Sequence, residues 1–178
     1  SNPFDNTEDK RYTNVDLVSI PPVPYSQLEQ LAQDAPPSYS PVGTNYFTDG
    51  FDSKDYGASN FEFTGVVYVI GDVVFRNGYS LTINDGALVV LGSVTFKNGS
   101  NLTINRTEPP PAGAYTGPLG LAATGDILLH AKSSSIDGVV QSDGNIDFRN
   151  KSTVYGSVVA EQVWMHNKTT IVYKENDF

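Results

Sequence analysis

The chain has 178 residues, 20 acidic against 11 basic, a net charge of -9 and no cysteine. That length suits one domain with a substantial core; the missing thiols exclude a disulfide framework and any thiolate metal site, and the acidity argues against general duplex nucleic-acid binding. No apolar run approaches a membrane span, and no stretch reads as a signal peptide.

The first 60 residues differ in kind from the rest. They hold nine acidic residues against three basic ones and are rich in Pro, Ser, Tyr and Asp, so residues 1-60 are expected to form an irregular acidic segment and cap, with a disordered stalk as the alternative. Ser1-Asn2 resembles a cloning scar, which leaves room for a natural segment upstream. Pro21-Pro22-Val23-Pro24 must be extended. A short helix is expected near 26-34, with Ser26 as N-cap, Glu29 completing a capping box and Pro36-Pro37 stopping it. Its apolar stripe, Leu28, Leu31 and Ala32, is expected to cover the open end of the first coil. Further on, Asp49, Asp52 and Asp55 have a spacing compatible with calcium but lack the twelve-residue loop with its closing glutamate.

From residue 61 a repeat takes over. Gly71-Asp-Val-Val-Phe75, Gly92-Ser-Val-Thr-Phe96, Gly125-Asp-Ile-Leu-Leu129, Gly144-Asn-Ile-Asp-Phe148 and Glu161-Gln-Val-Trp-Met165 share one alternating pattern. A second apolar position follows six residues later at Leu81, Leu102, Val154 and Ile171, or seven later at Ile136, and an apolar stretch precedes each unit. Three strands per unit predict an all-β, right-handed parallel β-solenoid (β-helix) of about five triangular coils over 61-175. Asn77-Gly78, Asn98-Gly99 and Asn84-Asp85-Gly86 supply the corners. Arg106 to Gly120, with its triproline at 109-111, is expected to leave the prism as a surface loop. An antiparallel sandwich is the rival fold, but it does not require the same residue type at the same place in every unit.

Alternation points the residue after each large core position outward. Arg76, Lys97, His130, Arg149 and His166 therefore predict a basic ladder able to contact anionic polysaccharide, lipopolysaccharide or DNA, or else a row of solvated charges. Next come Asn77, Asn98, Asn150 and Asn167, with Ala131 the exception, read as a structural amide ladder. Five Asn-x-Ser/Thr acceptor patterns occur, three of them on that ladder, which favours the structural role.

Enzymatic readings fare less well. Asp126, Asp143 and Asp147 lie on neighbouring coils, as acids of a β-helix polysaccharide enzyme would, yet they occupy unequal positions and no repeated basic cluster accompanies them. No catalytic residue and no cofactor is assigned. Trp164 with Tyr68 or Tyr155 offers an aromatic patch for sugar stacking, set against packing beneath flanking segments.

Val154-Tyr-Gly-Ser-Val-Val-Ala160, Val163 to Asn167, Thr170-Ile-Val-Tyr173, the two Gly-x-Val-x-Phe coils and the Leu-Glu-Gln-Leu-Ala helix together resemble the soluble β-solenoid domains of PilX-type minor pilins and related pilus-associated bacterial surface proteins. The resemblance spans about residues 20-175, and its motifs are structural. It implies a non-enzymatic domain at the bacterial cell surface or outside the cell, serving adhesion or pilus assembly. Its partners would be other pilins or surface proteins, and membrane contact would come only through an N-terminal helix that this chain does not contain. The alternatives are a polysaccharide-active enzyme or carbohydrate-binding module, and a bactofilin-like polymer-forming scaffold, which needs exposed apolar ends and no capping helix.

Overall fold

Within each repeat the chain is too apolar on alternate residues to stay solvated and too rich in Gly and Asn to form a helix, so it folds as short strands joined by tight corners. The computed structural model describes residues 22-35 and 42-173; residues 1-21 and Pro36-Pro37 lie outside that description. Six coils follow one another. The first contains β1 (Tyr46–Phe47), β2 (Phe51–Asp52) and β3 (Asn60–Thr64), and the second β4 (Val67–Ile70), β5 (Val73–Phe75) and β6 (Ser80–Asn84). The third contains β7 (Leu88–Leu91), β8 (Val94–Phe96) and β9 (Asn101–Asn105); the fourth, β10 (Leu119–Ala123), β11 (Ile127–Leu129) and β12 (Ser133–Asp137). β13 (Val139–Ser142), β14 (Asn145–Phe148) and β15 (Lys151–Tyr155) make the fifth, and β16 (Val158–Val159), β17 (Gln162–Met165) and β18 (Thr170–Val172) the last.

Equivalent strands pair in parallel to give three six-stranded sheets, one on each side of the prism. We call them the β4, β5 and β6 sheets after their second members. Register places Phe75, Phe96, Leu129, Phe148 and Met165 in one column. A second column runs from Phe61 through Leu81, Leu102, Ser134 and Ser152. Its two serines are buried and hydrogen-bonded to each other at 2.8 Å, so a polar pair is tolerated in the core.

The coil count is six, not about five, because the first two strands of the first coil, β1 and β2, lie inside the segment expected to be irregular. Its repeat is disguised. Ser53 occupies the slot that Phe75 fills one coil later and accepts a hydrogen bond from the Arg76 amide at 3.0 Å, while Phe47, Phe51, Phe61 and Phe63 supply the bulk. Phe51 stacks on Tyr56 at 4.7 Å, and Val42 and Tyr56 pack against the core at this end.

The helix also departs from expectation. It runs Tyr25–Gln33, and its N-cap is Pro24, with no side-chain capping bond. Ser26 is inside the first turn, and Glu29 instead accepts a 2.7 Å hydrogen bond from the Tyr46 hydroxyl. Nor does the helix cap the solenoid end. Leu28 and Ala32 are buried against Val66, Tyr68, Val89, Ala122 and Val139 on the outer face of the β4 sheet, whereas Leu31 is 49% exposed. That sheet is apolar on both faces, and the helix covers the outer one. Burying Leu28 contributes about 2 kcal/mol.

The proline loop ends two residues earlier than expected, since β10 resumes at Leu119. Arg106 closes it by donating to the Leu119 carbonyl at 2.6 Å, with its guanidinium 5.7 Å from the centre of the Tyr115 ring. At the far end of the prism none of the described residues stacks on the last coil. Val163, Met165 and Ile171 continue the columns of Ile146, Phe148 and Val154, yet they are 39%, 47% and 37% exposed. No helix among the described residues is long and apolar enough to cross a membrane.

Candidate functional site

The outward face of the β5 sheet and its corner with the β6 sheet carry most of the polar chemistry singled out above. Strand alternation sends Arg76, Lys97, His130, Arg149 and His166 outward, and the shared core column keeps them at equivalent places. Acids meet four of the five.

Arg76 forks onto Asp52 of the first coil, Nε to Oδ1 at 2.9 Å and Nη2 to Oδ2 at 2.6 Å. This hydrogen-bonded guanidinium, against the opposing effect of burial, holds the Asp52 carboxyl down to about 2. Asp147 gathers the next three. His130 Nε2 lies 3.0 Å from Oδ2, which requires the proton on that nitrogen, and Arg149 Nε and Nη2 each lie 3.1 Å from the same oxygen. His166 Nε2 is 3.4 Å from Oδ1. Asp147 is only 7% exposed; burial pushes its carboxyl up, but the bonds from His130 and Arg149 outweigh that and leave it below the ordinary carboxylate range. Oδ1 is buried without a hydrogen-bond partner. Lys97 alone of the five is exposed with no ion pair among the described residues.

The asparagines mark turns. Asn150 and Asn167 adopt left-handed backbone with φ of 62° and 42°, a conformation asparagine tolerates. Asn150 Nδ2 donates to the carbonyls of His130 at 3.2 Å and Ala131 at 2.9 Å on the coil before. Gly99 has a left-handed φ of 89°, which disfavours any side chain, and a Cβ there would also meet the Asn77 carboxamide. Stacked amides do occur, but on the β6 sheet: Asn105 Nδ2 donates to Asn84 Oδ1 at 3.4 Å, and Asn84 Nδ2 to Glu62 Oε1 at 2.8 Å. The signal for them was Leu-Thr-Ile-Asn, present in both coils.

A feature that the sequence reading passed over lies at the corner between the β5 and β6 sheets. Asn98, Lys132, Ser133, Asn150, Lys151, Asn167 and Lys168 line a recess of about 650 Å³. Each of the three lysines follows an occupant of the asparagine file, Ala131, Asn150 or Asn167, so the pattern was present in the repeat. Lys151 opens β15 and Lys168 lies in the bend before β18 with left-handed backbone, each three residues after the paired Phe148 and Met165. All three lysines are exposed, and none has an ion pair among the described residues.

The acids considered for catalysis are not assembled for it. Asp126 Oδ1 accepts from the Asn145 amide at 2.8 Å, and Asp147 is held as described. Asp52 serves Arg76 and accepts from the Lys54 amide, and no group of three His, Asp or Glu among the described residues can hold a metal ion. Tyr68, Trp164 and Tyr155 sit on three different sheets, so they make no common patch. Compared with protein-family models, with curated proteins and with solved structures, the chain matches none of them.

Proposed function

We propose that this chain is a non-enzymatic scaffold module of the bacterial cell surface, of minor-pilin type, presenting a stiff prism for adhesion or for assembly with other surface proteins. One observation supports this reading above the others: the outward polar groups hold neighbouring coils together instead of converging on a cleft. Asp72 Oδ1 accepts from the Ser93 amide at 2.8 Å, Asp85 Oδ1 from the Thr107 amide at 2.7 Å and Asp126 Oδ1 from the Asn145 amide at 2.8 Å. Each bond ties one coil to the next, and the Arg76–Asp52 and His130–Asp147 pairs extend the same use. A rigid rod with committed surface groups suits mechanical presentation better than turnover. Antibody detection in native cells tests it: the protein should appear among sheared surface appendages, and confinement to the cytosol overturns the reading.

A second reading, a bactofilin-like polymer-forming scaffold, is favoured by the exposed Val163, Met165 and Ile171 on the last coil. Continuous growth needs two such ends, and Phe47, Phe51 and Phe63 of the first coil are buried. Sedimentation of the chain at rising concentration separates the two: long filaments favour the polymer, while a monomer or a closed dimer favours the surface module.

A further inference from the structure

We infer that the lysine corner formed by Lys132, Lys151 and Lys168 is a binding site for acidic polysaccharide, carboxylated or sulfated. Like charges held close together repel one another. Lys132, Lys151 and Lys168 come from three successive coils and line one recess, with Lys151 opposite Ser133 on the paired strand and Lys168 in the bend before the last strand. This chain has 20 acidic residues and elsewhere sets them against its outward bases, at Asp52–Arg76 and Asp147–Arg149. No acid lines the recess at the lysine corner. Among the described residues these ammonium groups have no counter-charge, and an anion bound there would relieve their mutual repulsion.

The rest of the recess selects among anions. Asn98 and Asn167 carry amides with no side-chain hydrogen bond among the described residues, suited to sugar hydroxyls. No aromatic side chain lines the site, which removes the platform that single-stranded nucleic acid requires. The lysines recur once per coil, and a coil rise of about 4.8 Å is close to the length of one pyranose unit, so a sugar chain running along the prism axis can set successive anionic groups against successive ammonium groups. The inference relies on the surface-module reading only for how such a polymer would reach the protein.

The test measures binding of the purified full chain to a polyuronate, dextran sulfate, neutral dextran and single-stranded DNA at low and moderate salt. Binding to the polyuronate, to dextran sulfate or to both, with affinity falling as salt rises and none to neutral dextran, is expected; which polymer binds identifies the anionic group. The Lys132→Ser, Lys151→Ser, Lys168→Ser triple variant should bind at least tenfold more weakly at unchanged thermal stability, and the corresponding triple arginine variant should retain binding within about threefold, both changes acting on exposed side chains. Failure of the parent chain to bind any acidic polysaccharide, equal binding by the serine variant, or tighter binding to DNA would each overturn the inference. Because these measurements use purified components, they stand or fall independently of where the protein resides in the cell.

Discussion

The rings of Phe75 and Phe96 lie face to face, with centroids 4.7 Å apart and planes 2° from parallel, although 21 residues separate them in the chain. Only one complete winding of the backbone brings them together. The same winding recurs at Leu129, Phe148 and Met165, so the core is a set of columns in which each coil's side chains meet those of its two neighbours.

Position along a column should therefore set the cost of truncation. Phe96→Ala, between stacked neighbours and fully buried, is expected to lose about 3-5 kcal/mol. Met165→Ala occupies the same column at the open end, where its side chain is 47% exposed, and should cost less than about 1 kcal/mol. Urea unfolding of the two variants beside the parent measures the contrast, and equal costs would contradict an uncovered last coil.

Close approach of successive corners makes Gly86 irreplaceable. A Cβ there would collide with the backbone carbonyl of Gly65 on the preceding coil, so Gly86→Ala must push the coils apart, at an expected cost of about 3 kcal/mol. Gly57, where a Cβ meets nothing within 4 Å, provides the comparison; Gly57→Ala should leave the melting temperature within about 2 °C.

Acid should weaken the ties between coils in a defined window. The Asp52 carboxyl is held down to about 2 in the folded chain against roughly 3.9 when unfolded. Its stabilising effect is complete above the unfolded value and disappears as pH falls through the folded one. Asp147, also depressed, acts in the same direction. Stability measured by urea unfolding should fall between about pH 4 and pH 2, and Asp52→Asn should make that fall shallower. A carboxyl resonance of Asp52 titrating at the ordinary aspartate value would show that the Arg76 fork does not persist in solution.

Helix docking depends on one side chain. Leu28→Ala should cost about 2-3 kcal/mol and release the helix first, seen as faster proteolysis near residue 30 and loss of protection of the Tyr68 ring. Leu31→Ser, on the exposed side of the same helix, should change neither.

Different features of this chain were legible to different degrees. Columns could be read because a core position repeats locally: Val73 and Phe75 alternate with outward residues, and the same pair returns one coil later as Val94 and Phe96. The first coil escaped notice because Ser53 interrupts the pattern and phenylalanines replace the aliphatic residues. Where the helix docks was also encoded, in the unbroken apolar runs Val66 to Ile70 and Ala87 to Leu91, which need cover on both faces of the sheet. Even the corner lysines were present, as the residues that follow Ala131, Asn150 and Asn167.

Winding and the Phe75 column were determined by the sequence alone, since they follow from alternation within a strand and recurrence between coils; the second column was not, because Leu81 and Leu102 share a column with Ser134 and Ser152, while Ile136, Val154 and Ile171 continue Ile83 and Ile104. Which charges meet was decided only by the tertiary structure. Asp52 reaches Arg76 across 24 positions, and Asp147 collects His130 and His166 from the coils on either side. Such pairings depend on corner lengths and on the lateral reach of each side chain, which alternation does not specify, and among the described residues they left the corner lysines, like Lys97, without an ion pair.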